Sequence, residues 1–111
     1  MDMSEINQLI EKIVEFRDQR DWKKFHNLKD LSLALSIEAA ELNELFLWKT
    51  SDDVDKSKLS EELADILIYA LLIAEKNNLD VREIILSKLQ KNEEKYPVEK
   101  SKGNAKKYNQ L

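Results

Sequence analysis

The residues of this chain best suited to chemistry are two pairs of carboxylates, Glu38 with Glu41 and Glu62 with Asp65. Each pair is spaced i, i+3, which on a helix puts both members on one side. At about 100° per residue, Glu38 and Glu41 share an arc with Ala34, Leu45 and Trp48. Glu62 and Asp65 share theirs with Ile66, Tyr69, Leu72 and Ile73. Both acidic pairs therefore interrupt faces that should turn inward. Most acids in so charged a chain are solvated helix-surface groups, and that reading suits Glu5, Glu11, Glu75, Glu93 and Glu94. It suits Glu38 and Glu41 poorly, because no basic residue lies at i±3 or i±4 of either. Burying an unpaired carboxylate costs several kcal/mol per ion, so four in one cleft demand protons or a cation.

Four carboxylates make a hard, all-oxygen site, the kind that takes Mg²⁺, with Mn²⁺ as a substitute. A cation held there can bridge a polyphosphate, neutralise charge on a transferring phosphoryl group and acidify an attacking water. A ferritin-like di-iron centre needs Glu-x-x-His on two helices. The only histidine is His26, in a loop, and reads as structural or exposed. There is no cysteine, which excludes disulfides and zinc–thiolate sites. Glu44 lies at the edge of the Glu38–Glu41 arc and has two readings, a water-orienting catalytic carboxylate or a solvated charge.

The elements that must position these groups read as helices. A single Gly and a single Pro, Gly103 and Pro97, leave almost none of the punctuation that strands and tight turns need. Ile6, Leu9, Ile10, Ile13, Val14 and Phe16 recur at helical spacing over Ser4 to about Arg20. Asn27 is a candidate cap for a second helix reaching about Trp48, with Asp30 in its first turn. The polar stretch Thr50 to Ser57 reads as a loop. Asp55 or Ser57 then opens a third helix to about Asn77 or Asn78, and Asp80 with Glu83 opens a fourth, which Pro97 stops after Lys95. A short loop between the second and third helices makes them antiparallel and sets the two acidic pairs face to face.

The expected fold is all-α: a four-helix bundle subunit over 1–97, followed by a basic tail over 98–111. The tail has two readings, a flap folding over the site or a frayed end. The third helix carries Ile66-Leu67-Ile68-Tyr69-Ala70-Leu71-Leu72-Ile73-Ala74, apolar nearly all round. A lone small bundle leaves such a helix a solvated face, so a homodimer or homotetramer sharing a helical core is expected. The net charge of −4 argues against binding a nucleic-acid polymer. The acidic start, Met1-Asp2-Met3-Ser4-Glu5, does not resemble a secretory signal, and no apolar run is long enough for a bilayer, so a cytoplasmic location is expected.

Glu38-Ala39-Ala40-Glu41, a gap of 20 residues, then Glu62-Leu63-Ala64-Asp65 resembles the E-x-x-E…E-x-x-D signature of the MazG-like, all-α NTP pyrophosphohydrolases. The likeness extends to the dCTP pyrophosphatase branch through Arg20-Asp21-Trp22, Phe25-His26, Leu45-Phe46-Leu47-Trp48-Lys49, Ile66-Leu67-Ile68-Tyr69, Ser87-Lys88, Lys95-Tyr96-Pro97-Val98 and Lys107-Tyr108. The resemblance implies Mg²⁺-dependent hydrolysis of a (deoxy)nucleoside triphosphate, dCTP-like or modified, to monophosphate and pyrophosphate, as nucleotide-pool clean-up. It implies Glu38, Glu41, Glu62 and Asp65 as metal ligands, and Trp22, Trp48 and Tyr69 as a wall around base and sugar. For Trp48 and Tyr69 core packing is an equal reading. Lys88, Asn92 and Lys95 share a face of the fourth helix, solvated on the plain reading and facing phosphate on the family's. Ile13 stands where some dCTP-preferring relatives carry a histidine, which puts a cytosine preference in question. Two other functions fit the scaffold: a non-catalytic Mg-nucleotide sensor, and a helical oligomerisation module.

Overall fold

The computed structural model describes residues 4–111. Among them there is no strand. The chain runs through α1 (Glu5–Gln19), α2 (Leu28–Glu44), α3 (Lys56–Lys76), α4 (Val81–Lys95) and a short α5 (Val98–Ser101), with 3-10 turns at Lys23–Phe25, Ser51–Asp53 and Tyr108–Gln110. Among the described residues no helix is long and apolar enough to cross a membrane.

The helix starts are set by side-chain caps. Ser4 Oγ accepts from the Asn7 amide at 3.1 Å, and Asn27 Oδ1 accepts from the Asp30 amide at 2.9 Å. Asp55 Oδ1 accepts from the Ser57 and Lys58 amides, and Asp80 Oδ1 from the Glu83 amide at 2.9 Å. Each satisfies a first-turn amide that lacks an intrahelical acceptor. Two ends differ from expectation. α2 stops at Glu44, and Leu45 to Trp48 form a turn instead of a further helical turn. Pro97 both follows the end of α4 and precedes α5, because a proline ring suits a helix start as well as it prevents continuation.

Two compact units make up the chain, Met1–Leu79 and Asp80–Leu111. In the first, α2 packs chiefly on α3, and α1 on α3 to a lesser extent. Leu31 near the start of α2 and Leu72 near the end of α3 are both buried and line one cavity, while Glu38 and Glu41 meet Glu62 at the opposite ends. The two helices are thus antiparallel. Arg17 ties α1 to α3: its side chain is 6% exposed, and Nη1 donates to Glu75 Oε2 at 3.1 Å. The second unit holds α4, α5 and the last 3-10 turn, with Tyr96 and Tyr108 in an edge-to-face pair at 6.2 Å.

Candidate metal centre

The antiparallel α2–α3 pair carries out the juxtaposition that the spacing demands. One carboxylate oxygen from each of Glu38, Glu41 and Glu62 lies within 4.8 Å of the other two. Glu38 and Glu62 are half-buried, and Oε2 of each is buried with no hydrogen-bond partner. Burial, then the neighbouring Glu41, the charge of Asp65 and the contact with Glu62, push the Glu38 carboxyl up to about 7. Burial, then Glu41, also raises the Glu62 carboxyl. Glu38 and Glu62, crowded together, resist simultaneous ionisation. Two buried, unpartnered oxygens and an all-carboxylate donor set fit a hard divalent cation.

Asp65 stands outside that triad. It is exposed, its charge raises the pKa of Glu38, Glu62 and Tyr69, and it lies on the wall of an adjoining groove. Glu44 is the last residue of α2, exposed, and also outside the triad.

The groove encloses about 490 Å³ and is mostly apolar: Leu9, Ile13 and Phe16 come from α1, Trp22 from the segment after it, and Ile68, Tyr69 and Leu72 from α3. Phe16 and Trp22 meet edge to face at 5.8 Å, and the Arg20 guanidinium caps the Phe16 ring at 3.6 Å. Burial, then the charges of Glu38 and Asp65, raise the Tyr69 hydroxyl. Trp22 and Tyr69 therefore line one concavity, and Asp65 joins it to the triad.

Trp48 is placed elsewhere. With α2 ending at Glu44 its helical arc does not continue; Trp48 is fully exposed and takes φ 63°, a left-handed conformation unusual for a bulky residue. Lys88, Asn92 and Lys95 lie on α4 in the second unit. Lys88 borders a shallow depression with Glu83, Ile84 and Ser87, Asn92 is half-buried, and Lys95 Nζ stands 5.0 Å from the centre of the Tyr108 ring. Lys12, Phe16 and Ile68 complete the groove although nothing in their types marked them beyond helical spacing. Arg17 also borders it. Its signal was a charge on the stripe of Ile10, Ile13 and Val14, where an apolar residue is expected.

Comparison with known proteins agrees with this architecture. Residues 33–111 match the model of the MazG-like family. The chain is 39% identical over 105 residues to dCTP pyrophosphatase 1 of Mus musculus and 37% to that of Homo sapiens, the match covering 87% of this chain. It spans 62% of the length of these curated relatives. A crystal structure of a pyrophosphatase from Archaeoglobus fulgidus superposes with a TM-score of 0.80 at 38% identity, over 87% of this chain and 96% of that one.

Proposed function

This chain belongs to the MazG-like family, and on that premise we propose that it is a Mg²⁺-dependent nucleoside triphosphate pyrophosphohydrolase acting on dCTP or a related modified deoxynucleotide. The observation that carries the reading is the triad of Glu38, Glu41 and Glu62, with two buried oxygens that no protein donor satisfies. The relatives named dCTP pyrophosphatase 1 and the pyrophosphatase from Archaeoglobus fulgidus support the reaction class.

In this reading Glu38, Glu41 and Glu62 hold the cation and Asp65 completes the set from the mouth of the groove. The bound cation supplies charge neutralisation for the triphosphate and a more acidic water. The chain's own part is placement. Trp22, Phe16 and Tyr69 offer flat apolar walls to base and sugar, so a nucleotide seated there extends its phosphates past Asp65 towards the triad. Water adds across the bridge between the α and β phosphates, leaving monophosphate and pyrophosphate. Ile13 on the groove wall gives no polar contact to a base, which favours shape over a cytosine-specific hydrogen bond. Glu44 is assigned to the attacking water and Trp48 to the substrate wall in the assembled protein; Lys88, Asn92 and Lys95, in the second unit, are proposed as phosphate-binding residues on the family resemblance alone.

Homo-oligomerisation belongs to the same proposal. The first unit buries only Leu31, Leu72 and Ala74 among its described apolar residues, while Leu67 on α3 is 52% exposed and Leu33, Ile37 and Leu63 also face outward. Apolar surface of this extent is ordinarily covered by another subunit.

The test is incubation with standard and modified deoxynucleoside triphosphates, with and without Mg²⁺, reading pyrophosphate against orthophosphate. The expected result is Mg²⁺-dependent release of pyrophosphate. Orthophosphate alone contradicts α–β cleavage, and tight nucleotide binding without turnover would identify a sensor instead.

A further inference from the structure

Next to the groove, within the first unit, lies a second cavity of about 290 Å³ whose lining is cationic. Arg17 reaches it from α1, Lys23 from the 3-10 turn and Lys76 from the last turn of α3; His26 precedes α2. Glu75 is the one carboxylate among the lining residues, and it is already paired with Arg17 Nη1. With Asp18, which pairs with Arg17 Nε from outside the lining, three cations face two carboxylates, and both carboxylates are engaged by Arg17, which leaves Lys23 and Lys76 without an ion-pair partner in the lining.

His26 Nδ1 is buried and has no hydrogen-bond partner, a condition that buried polar atoms rarely keep without a ligand or water. Arg17 uses Nε towards Asp18 and Nη1 towards Glu75, so Nη2 stays outside both pairs. The His26 imidazole is held below its usual pKa by burial and then by the charges of Arg17 and Lys76, which reports the positive potential of the cavity. A guanidinium held by carboxylates and flanked by flexible ammonium groups is a phosphate-binding combination.

We infer that this cavity binds a small tetrahedral oxyanion of the phosphate class, free or as the terminal phosphoryl of a nucleotide, with Lys23, Lys76, Arg17 and His26 as its contacts. Arg17, His26 and Leu72 border both this cavity and the groove, so the anion lies directly beside the nucleotide-shaped space. The carboxylate triad takes no part, and the inference stands independently of the proposed reaction.

His26 is the only histidine in the chain, so its imidazole resonances are unambiguous; it borders the groove as well, and Lys23 and Lys76, which line this cavity and not the groove, tell the two spaces apart. The full chain, free of divalent cations, is titrated with inorganic phosphate at constant ionic strength. The expected result is a saturable shift of the His26 signals and a rise in its pKa. Lys23 and Lys76 are both exposed, and the double variant Lys23→Gln/Lys76→Gln should weaken binding by roughly 2- to 30-fold with circular dichroism unchanged. A titration with a deoxynucleoside monophosphate separates the sources: tighter binding than phosphate assigns the site to a nucleotide phosphoryl, equal or weaker binding to free phosphate. No saturable shift, the same shift with chloride, or undiminished binding in the double variant would overturn the inference.

Discussion

Glu38 on α2 and Glu62 on α3 lie 24 residues apart in sequence, yet they bring carboxylate oxygens within 4.8 Å of each other, and each keeps Oε2 buried without a hydrogen bond. Like charges at that separation repel, and burial strengthens the repulsion. A fold that holds them together has a use for the strain they create in the absence of a cation.

Neutralising one member should therefore separate stability from activity. Glu38→Gln or Glu62→Gln is expected to raise the melting temperature of the metal-free protein. In the same variants turnover should fall by about 10²–10³, the loss expected when several kcal/mol of charge stabilisation disappears. Thermal scans with EDTA alongside Mg²⁺ assays check both. A lower melting temperature with activity retained would make these acids structural.

Stability of the metal-free protein should also depend on pH in a defined direction. The Glu38 carboxyl is pushed up to about 7 from an ordinary 4.5. A folded-state pKa above the unfolded one gives a contribution that is full below about 4.5 and is lost as pH rises through about 7. This group alone predicts a melting temperature that declines between those values in EDTA. Mg²⁺ should oppose the decline, since its ligands must be deprotonated. Glu38→Gln should flatten it, and the difference between wild type and variant isolates the contribution of Glu38.

Substrate contacts in the groove should appear in KM. Trp22 and Tyr69 line it together, and stacking of a base on an aromatic ring is worth about 1–3 kcal/mol. Trp22→Ala is expected to raise KM roughly 10- to 100-fold with a smaller change in kcat. Tyr69→Phe, which keeps the ring, should raise it much less. Steady-state kinetics distinguishes this from a loss of kcat alone, which would place Trp22 outside the binding wall.

The exposed apolar positions of α2 and α3 predict association. Light scattering should give at least twice the 13.0 kDa mass of one chain. Leu67→Glu, placing a charge at a half-exposed site on α3, should shift the population towards monomer. A wild-type monomer at micromolar concentration would contradict the proposed assembly.

Much of this architecture is legible in the sequence because local signals and periodicity agree. Asn27 and Asp80 cap the helices they were expected to open, Asp55 rather than Ser57 caps α3, and Ser4, expected only as the start of the first segment, caps α1. Glu38, Glu41 and Glu62 meet because an i, i+3 pair fixes a helix face and a short connection fixes antiparallel pairing. Asp65 and Trp48 show the limits of that geometry. Asp65 shares an arc with Glu62 but starts one turn further along α3, which puts it at the groove. Trp48 would share the Glu41 arc only if α2 continued, and nothing in Leu45-Phe46-Leu47-Trp48 announces a turn: there is no Gly or Pro. Arg17 shows locally only as a charge on the stripe of Ile10, Ile13 and Val14; its partner Glu75 lies 58 residues away, and no local pattern names that pairing.

The central claim is that Glu38, Glu41 and Glu62 hold a divalent cation, and Mn²⁺ binding followed by electron paramagnetic resonance tests it most directly. The account predicts saturable loss of the free Mn²⁺ signal with the wild-type chain, competition by Mg²⁺, and weakening by at least about tenfold in Glu41→Gln. Binding that is equally strong in the variant, or no binding by the wild type even with nucleotide present, would contradict it.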